Sequence, residues 1–498
     1  MMHKGGNTVI KEWMPASLQR ELVDGALNLA QLRGAGYADI RLVQREEELV
    51  ATKDGVPDVV RRDCSQGFGV RVLWQGAWGF ASGPAWTLSA IQEATELALA
   101  IAKASASTAL VPVTLGEAQT LVARYETPIQ EDPFAVSVEE KLATLLAAEA
   151  AMRAVPGIVG SAGTIGCVRE HKLFASTEGA WIEQVLIETG CGIDAIAVNE
   201  HEVQVRSYPN SFGRHQATAG YELVRHLDLP AHAPIIAHEA VALLKADTCP
   251  AVETTLILDP TQLALQVHES IGHAIELDRV FGYEAAYAGT SFLNPGMRGT
   301  YRYGSSIVNV TADATLPGGL GTFGYDDEGV PAQRVPIITA GEFVGFLSCR
   351  ETASRLKQAS GGMARADGWN RIPMVRMTNV NLEPGDSSLE EMIGDTEDGI
   401  YMLTNRSWSI DDKRVNFQFG AQMAWEIKGG RKRRLLKNPT YTGITPQFWA
   451  SCDAIAGPDE WQIWGTPNCG KGQPLQVAHV GHGASPARFR NVRVGVAR

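Results

Sequence analysis

No C-x-x-C occurs in this chain, and its seven cysteines are scattered: Cys64, Cys167, Cys191, Cys249, Cys349, Cys452 and Cys469. An odd, unpaired set argues against a disulfide framework and for a reducing compartment. No run of about 18 apolar residues is present, which excludes a membrane-spanning helix by hydropathy. The opening residues, MMHKGGNTVIKEWMPAS, lack an apolar segment of signal-peptide length. These absences set the expectation of a cytoplasmic, soluble protein. Positive charge is in deficit, with 44 Lys and Arg against 56 Asp and Glu and a formal net charge of -12. Such a balance argues against a general phosphate-binding role. The one basic run, KGGRKRRLLK at 428–437, surrounds a Gly-Gly pair and reads as a solvated hairpin rather than a nucleic-acid patch. There is no fixed-period repeat and no low-complexity linker.

What is present is an ordinary globular composition, 45% hydrophobic and 20% charged, over 498 residues, too many for one ordinary domain. Helical spacing covers 16–33, with Gly34 and Gly36 beyond it, and returns at 87–106, 138–154, 216–226 and 233–246. Alternation from Tyr37 to about Thr52 predicts a strand, and Asp54-Gly55 predicts a hairpin turn. Two strands follow about Gly76, a meander of short strands fills 157–206, and the chain beyond about 300 is strand-rich. Strands and helices come in blocks, which predicts an α+β fold rather than a doubly wound parallel sheet. The proline-containing stretch DLPAHAP at 228–234 marks the expected break. It divides an N-terminal α+β domain, 1–230, from a strand-rich C-terminal domain, 231–498.

The second half carries the stretch LALQVHESIGHAIELDRV, residues 263–280. It holds His268, Glu269 and His273. Two histidines with a glutamate beside the first resemble the H-E-x-x-H zinc helix, but here they are five apart rather than four. Asp259 beside Pro260 predicts a helix start, and the pattern predicts a helix over 261–277. In a regular α-helix residues five apart lie about 140° apart around the axis, so the two rings do not share a face. A π-type turn, a kink at Gly272 or converging long rotamers would bring them together. Two neutral imidazoles suit Zn²⁺, which in catalytic sites takes three protein ligands and a water. Glu276 and Asp278 are the nearest candidates for a third ligand; His479, His482, Cys452 and Cys469 lie further away. Spacing does not choose among them.

The segment HESIGHAIELDRV resembles the H-E-x-x-x-H segment of the TldD/PmbA peptidase family, often called modulators of DNA gyrase. YDDEGVPAQ (325–333), GFLSCRETAS (345–354), NCGKGQP (468–474), GHGASPARFRNVRVG (481–495) and QGFGVRVLWQGAWGFAS (66–82) are similar to further family segments, in family order across nearly the whole chain. The resemblance implies a metallopeptidase of the metal-retaining, TldD-like kind. It implies zinc held by His268, His273 and Cys469, with Glu269 as general base. It implies flexible or unfolded peptides as substrates, cleaved in leader-peptide trimming or degradation, held extended along a sheet edge. It also implies a homodimer, or a heterodimer with a metal-lacking paralogue. A non-catalytic peptide-binding or regulatory subunit that keeps the metal for structure is the alternative. The NCGKG context predicts a glycine-flanked turn at Cys469.

Four further signals are weaker. GGLGTFG at 318–324 contains G-x-G-x-x-G, but YDDEGVP follows where a dinucleotide site needs a helix, so a flexible cleft loop is expected. Asp326, Asp327 and Glu328 lack EF-hand spacing and read as solvated or capping side chains. His479 and His482 are candidates to orient a ligand, with at least one expected to serve packing or the surface. Trp369, Trp408, Trp425 and Trp449 read as core or interface residues, not a base-stacking platform.

Overall fold

The computed structural model describes residues 13–211, 215–287 and 289–495; the first twelve residues, most of the stretch read for a signal peptide, lie outside it. The first half contains α1 (Ala16–Leu32), β1 (Tyr37–Lys53), β2 (Val56–Trp74), β3 (Ala77–Gly83), α2 (Leu88–Ala106), β4 (Val122–Glu126) and α3 (Val138–Arg153). It continues through β5 (Ile158–Ser176), β6 (Trp181–Val198), β7 (Val203–Tyr208), β8 (His215–Ala217), α4 (Glu222–Leu227) and α5 (Leu229–Leu243). Its strands form one eight-stranded sheet in the order β3-β2-β1-β5-β6-β4, with β7 and β8 both on β6. The β1–β2 turn takes positive φ at Asp54 and Gly55, as the Asp-Gly pair predicts. Leu22, Val23 and Ala26 of α1 and Ile91, Ala98 and Leu99 of α2 bury against Ile40, Leu42, Val70 and Val72 of the sheet. Leu145 and Met152 of α3 and Ile236 and Ala240 of α5 bury against Ile165, Ile193 and Ala195.

Two expectations fail here. The meander at 157–206 is dominated by two long strands, β5 of 19 residues and β6 of 18, paired along almost their whole length. The helix expected from 216 begins only at Glu222, because His215–Ala217 pair with Thr189–Cys191 of β6. The proline-containing stretch at 228–234 is the start of α5. Asp228 sits at φ 40° between two helices and caps the second through Ala231 N. Pro230 falls in the first turn, where no N–H is needed. α5 packs on the first sheet through α3 and β6.

The second half opens with β9 (Asp247–Thr248), β10 (Val252–Leu258) and α6 (Pro260–Val267). β9 and β10 join six later strands in a second eight-stranded sheet: Asp398–Ile410, Asn416–Lys428, Arg431–Lys437, Thr440–Ile444, Cys452–Ile455 and Ala487–Val494. A four-stranded sheet holds Val310–Asp313, Arg334–Thr339, Glu342–Phe343 and Val380–Leu382, and a separate hairpin pairs Gln462–Lys471 with Gln476–Ala484. The basic run is the hairpin expected of it, turning at Gly429-Gly430, with Arg434 paired to Glu426 and Asp247. The whole is α+β. The largest core collects Val267, Ile271, Phe417, Tyr441, Trp449 and Phe489, so the motif segment is sheathed by aromatic and aliphatic side chains.

The halves meet through charge as well as apolar contact. Asp326, Asp327 and Glu328 are not solvated; all three are buried. Asp326 accepts from the N–H groups of Glu328, Val330 and Ala364 at 2.9–3.0 Å. Asp327 meets Lys172 at 2.8 Å, and Glu328 meets Arg71 at 3.1 Å. Of the glycines before them Gly318 is open, but a Cβ at Gly321 would come within 2.3 Å of the Thr378 backbone. That turn is packed tight, which is why glycine stands there.

Candidate metal centre

Asp259 starts α6 by accepting from Thr261 N at 3.0 Å, and Tyr401 donates to its other oxygen at 2.6 Å. After Val267 the α-helix becomes one π turn, His268–Gly272. His273 N–H donates to His268 O at 3.2 Å, so five residues close one turn. Ser270, at the centre of the turn, is held from three sides: Trp449 Nε1 donates to its Oγ at 2.9 Å, its Oγ donates to Gln266 O at 2.5 Å, and Tyr303 OH donates to its carbonyl at 2.5 Å. Gly272 lies against Met377, whose Sδ would be 2.4 Å from an added Cβ. The helix predicted to run to 277 ends here, and Leu277–Val280 forms a separate short helix.

The π turn puts both imidazoles on one side, their centroids 4.9 Å apart and their planes at 88°. Cys469 reaches them from the strand Gln462–Lys471, with Sγ 3.7 Å from His273 Nε2. It lies within the strand rather than in the expected turn; the register shift against the partner strand falls between Thr466 and Cys469. His268, His273 and Cys469 are all buried and each offers a ligand atom within 4.8 Å of the others.

Hydrogen bonds fix which ring nitrogens are available. His482 Nδ1 faces Val380 O at 3.1 Å and so carries the proton, which leaves its Nε2 an acceptor. That Nε2 lies 2.7 Å from His268 Nδ1, which must therefore donate. His268 Nε2 is left with its lone pair. His273 Nδ1 donates to Glu276 Oε2 at 3.0 Å, so its Nε2 lone pair faces Cys469. Burial pushes the Glu276 carboxyl up, yet Lys471 at 3.3 Å and His273 together hold it well below the usual range. Burial pushes the Cys469 thiol up, and the opposing pull of His273 and Arg376 leaves it below its ordinary value. Burial also lowers both motif histidines. Two imidazoles, each with one ring nitrogen free of a proton, and a thiol are a donor set suited to zinc.

Glu269 is 6% exposed and does not join the donor cluster. Its Oε2 accepts from Arg414 Nη1 at 2.6 Å. Both side chains line a cleft of about 440 Å³ together with the three donor residues, Trp408 and Trp464.

Three family models match the chain: domain 1 of the PmbA/TldA metallopeptidases over 38–102, their central domain over 131–247 and their C-terminal domain over 252–495. The chain belongs to the PmbA/TldD metallopeptidase family. A PmbA/TldD relative named as a metalloprotease in Methanocaldococcus jannaschii is 29% identical over 449 residues, 89% of this chain and 94% of that protein. A metalloprotease TldD homolog of Haemophilus influenzae is 24% identical over 502 residues, 99% of each chain. A zinc metalloprotease TldD homolog of Saccharolobus solfataricus is 28% identical over 262 residues, 51% of this chain and 54% of that one. The fold matches a crystal structure named for a modulator of a DNA gyrase from Thermotoga maritima, with a TM-score of 0.76 at 18% identity over 96% of this chain and 99% of that one.

The other residues singled out in this PmbA/TldD chain go elsewhere. Cys452 is buried on the second sheet, its Sγ toward Ala454 O at 3.8 Å, outside the donor cluster. Asp278 pairs with Lys471 at 2.7 Å, and Glu276 holds His273 instead of a ligand position. His482 orients His268, whereas His479 meets Glu188 of the first sheet at 2.5 Å. Trp449 is core and Trp369 donates to Ser65 across the halves, but Trp408 is 42% exposed in the cleft rather than packed away. Arg414, Arg376 and Lys471 escaped the sequence reading. Lys471 had a signal, since it alternates with Cys469 along one strand and so shares its face. Arg414 sits in a turn at φ 66° with no spacing to mark it.

Proposed function

We propose that this chain is a zinc-dependent peptidase acting on flexible or unfolded peptides, with His268, His273 and Cys469 as ligands and Glu269 as general base. The observation that carries the reading is the π turn, which turns a spacing unsuited to a shared site into two converging lone pairs beside a thiol. Bound there, zinc supplies an acidified water and a Lewis acid for the peptide carbonyl. Glu269, beside His268 and open to the cleft, takes the proton of the attacking water. The water oxygen bonds to the carbonyl carbon while the C=O pair moves onto the carbonyl oxygen. The C–N bond then breaks, and Glu269 returns the proton to the departing amine. His482 and Glu276 keep each ligating nitrogen free of a proton, through the hydrogen bonds they make on the opposite side of the ring.

Trp464–Gly470 of one strand and Asn405 and Trp408–Ile410 of another line the cleft, which supports an extended peptide held through its backbone. The substrates we assign are leader segments or degradation fragments rather than folded proteins. Assembly as a homodimer, or as a heterodimer with a metal-lacking paralogue, is part of the proposal. It is supported by the fold shared with TldE of Thermococcus kodakarensis, TM-score 0.71 at 17% identity over 94% of this chain and 99% of that one. A cytoplasmic setting fits the seven cysteines, all free.

Metal analysis with a cleavage assay on an unstructured peptide tests the reading. One zinc per chain is expected, with turnover that a chelator removes and zinc restores. Glu269→Gln should keep the zinc and lose about 10²–10⁴ in rate. Full zinc without cleavage of any unstructured peptide would leave only a binding subunit.

A further inference from the structure

We propose that Arg414 is a second catalytic residue, one that leaves Glu269 during the reaction and donates to the carbonyl oxygen as negative charge develops on it. The inference rests on the peptidase reading above. Arg414 is the one Lys or Arg among the described residues that line the cleft. Its Nη1 donates to Glu269 Oε2 at 2.6 Å, so the guanidinium lies beside the carboxylate assigned to deprotonate water. Its Nε is buried and has no hydrogen-bond partner among the described residues. The donors that face Glu269 are therefore the terminal ones, and a planar guanidinium can swing these from one oxygen to a neighbouring one.

The backbone under Arg414 is built to hold it there. Its φ of 66° is a conformation that a non-glycine residue adopts only when its surroundings impose it. Those surroundings are dense. Arg414 N–H donates to Asp411 O at 2.9 Å, and its carbonyl accepts from Thr445 Oγ1 at 2.8 Å. The Asp411 carboxylate accepts from Val415 N at 2.8 Å and Asn416 N at 3.0 Å. On the other flank Thr290 N donates to Asp412 O at 3.1 Å and Phe292 N to Lys413 O at 3.0 Å. The turn is therefore pinned by its own hydrogen bonds and by two other segments, and the side chain is the part left to change partner.

Charge bookkeeping supplies the reason to change. Before attack Glu269 is an anion and holds Arg414. When it accepts the water proton it becomes neutral, and the ion pair loses its attraction. In the same step the C=O pair moves onto the carbonyl oxygen. The negative charge thus passes from one neighbour of Arg414 to another, and the cation follows by pivoting rather than by crossing the cleft. A donor already largely desolvated, with only a pivot between its two partners, costs little reorganisation.

The experiment uses zinc-loaded full-length protein, with Arg414→Lys and Arg414→Met. Unstructured peptides ending in a free carboxylate or in an amide serve as substrates. A phosphinic pseudopeptide, whose tetrahedral anion mimics the charged oxygen, serves as a binding probe by calorimetry. Expected is a loss of about 100-fold or more in kcat with little change in KM, on both kinds of substrate. The phosphinic compound should bind weaker by a similar factor, while zinc content and melting temperature stay at wild-type values. Unchanged kcat, or unchanged phosphinic affinity, overturns the inference. A KM effect confined to free-carboxylate peptides overturns it too, since Arg414 would then clamp a substrate terminus. Lost zinc or a lowered melting point in Arg414→Lys as well as Arg414→Met makes the residue structural and overturns it equally. If the wild-type protein neither cleaves nor binds the probe, the peptidase reading falls first and takes this inference with it.

Discussion

His273 donates its backbone N–H to the carbonyl oxygen of His268 at 3.2 Å, one residue further back than an α-helix allows. That single bond decides whether two histidines five apart share a site. A π turn advances about one full rotation in five residues, where an α-helix overshoots.

The turn depends on Gly272 lying against Met377. Gly272→Ala places a Cβ 2.4 Å from Met377 Sδ and 2.9 Å from its Cε. Overpacking of this kind costs about 1–3 kcal/mol, and urea titration should show it. Met377→Ala, made together with Gly272→Ala, should recover part of the loss, giving a coupling energy in a double-mutant cycle. Simple additivity would mean that the Gly272–Met377 contact does not shape the turn.

Cys469 and Cys452 separate cleanly. Cys469→Ala should lose bound zinc and activity together, and Cys452→Ala should keep both. The apo protein should be alkylated at Cys469 and the zinc-loaded protein should resist, because the metal occupies the thiolate. Peptide mapping of the alkylated protein reads the site directly. Zinc retained by Cys469→Ala and lost by Cys452→Ala would move the ligand.

His482 contributes through His268. His482→Phe removes the acceptor for His268 Nδ1–H and leaves the ring free to take the other tautomer. Zinc affinity should fall about 10–100-fold in a competition titration with a chromogenic chelator. His479→Phe, which faces Glu188 instead, should leave the affinity unchanged.

His215 makes stability depend on pH away from the metal centre. Burial lowers it to about 4, and its Nδ1 accepts from Gly465 N at 3.3 Å. The unfolded chain binds this proton near its ordinary value of about 6.5. Between those two values the unfolded state therefore holds more protons than the folded state. The stabilisation is complete above about 6.5 and drains away as pH falls toward about 4, at no more than about 1.4 kcal/mol per pH unit. Urea melts across that window should show the slope, and His215→Leu should flatten this part of it. A variant profile parallel to wild type would remove His215 as its source.

Much of this molecule was written in local sequence. The span of α1, the Asp-Gly turn, α2 and the basic hairpin follow from periodicity and turn chemistry, which act within a few residues. The π turn was foreshadowed for the same reason: five-residue spacing and a glycine are local facts. Strand length at 157–206 was not legible, because β5 and β6 persist only by pairing with each other and with β1. His215–Ala217 became a strand because β6 was there to receive it. Glu269 and its two histidines declared themselves within six residues. Cys469 stands almost 200 residues after His273, and without the family resemblance it was one of several equal candidates. Arg414, the partner of Glu269, could not be read at all, since ion pairing between distant turns leaves no period or spacing behind. Sequence alone determined which chemical groups were available and where the helix had to distort. Only the tertiary structure decided which distant thiol, which second histidine and which arginine met there, because those contacts are made by the packing of separate strands.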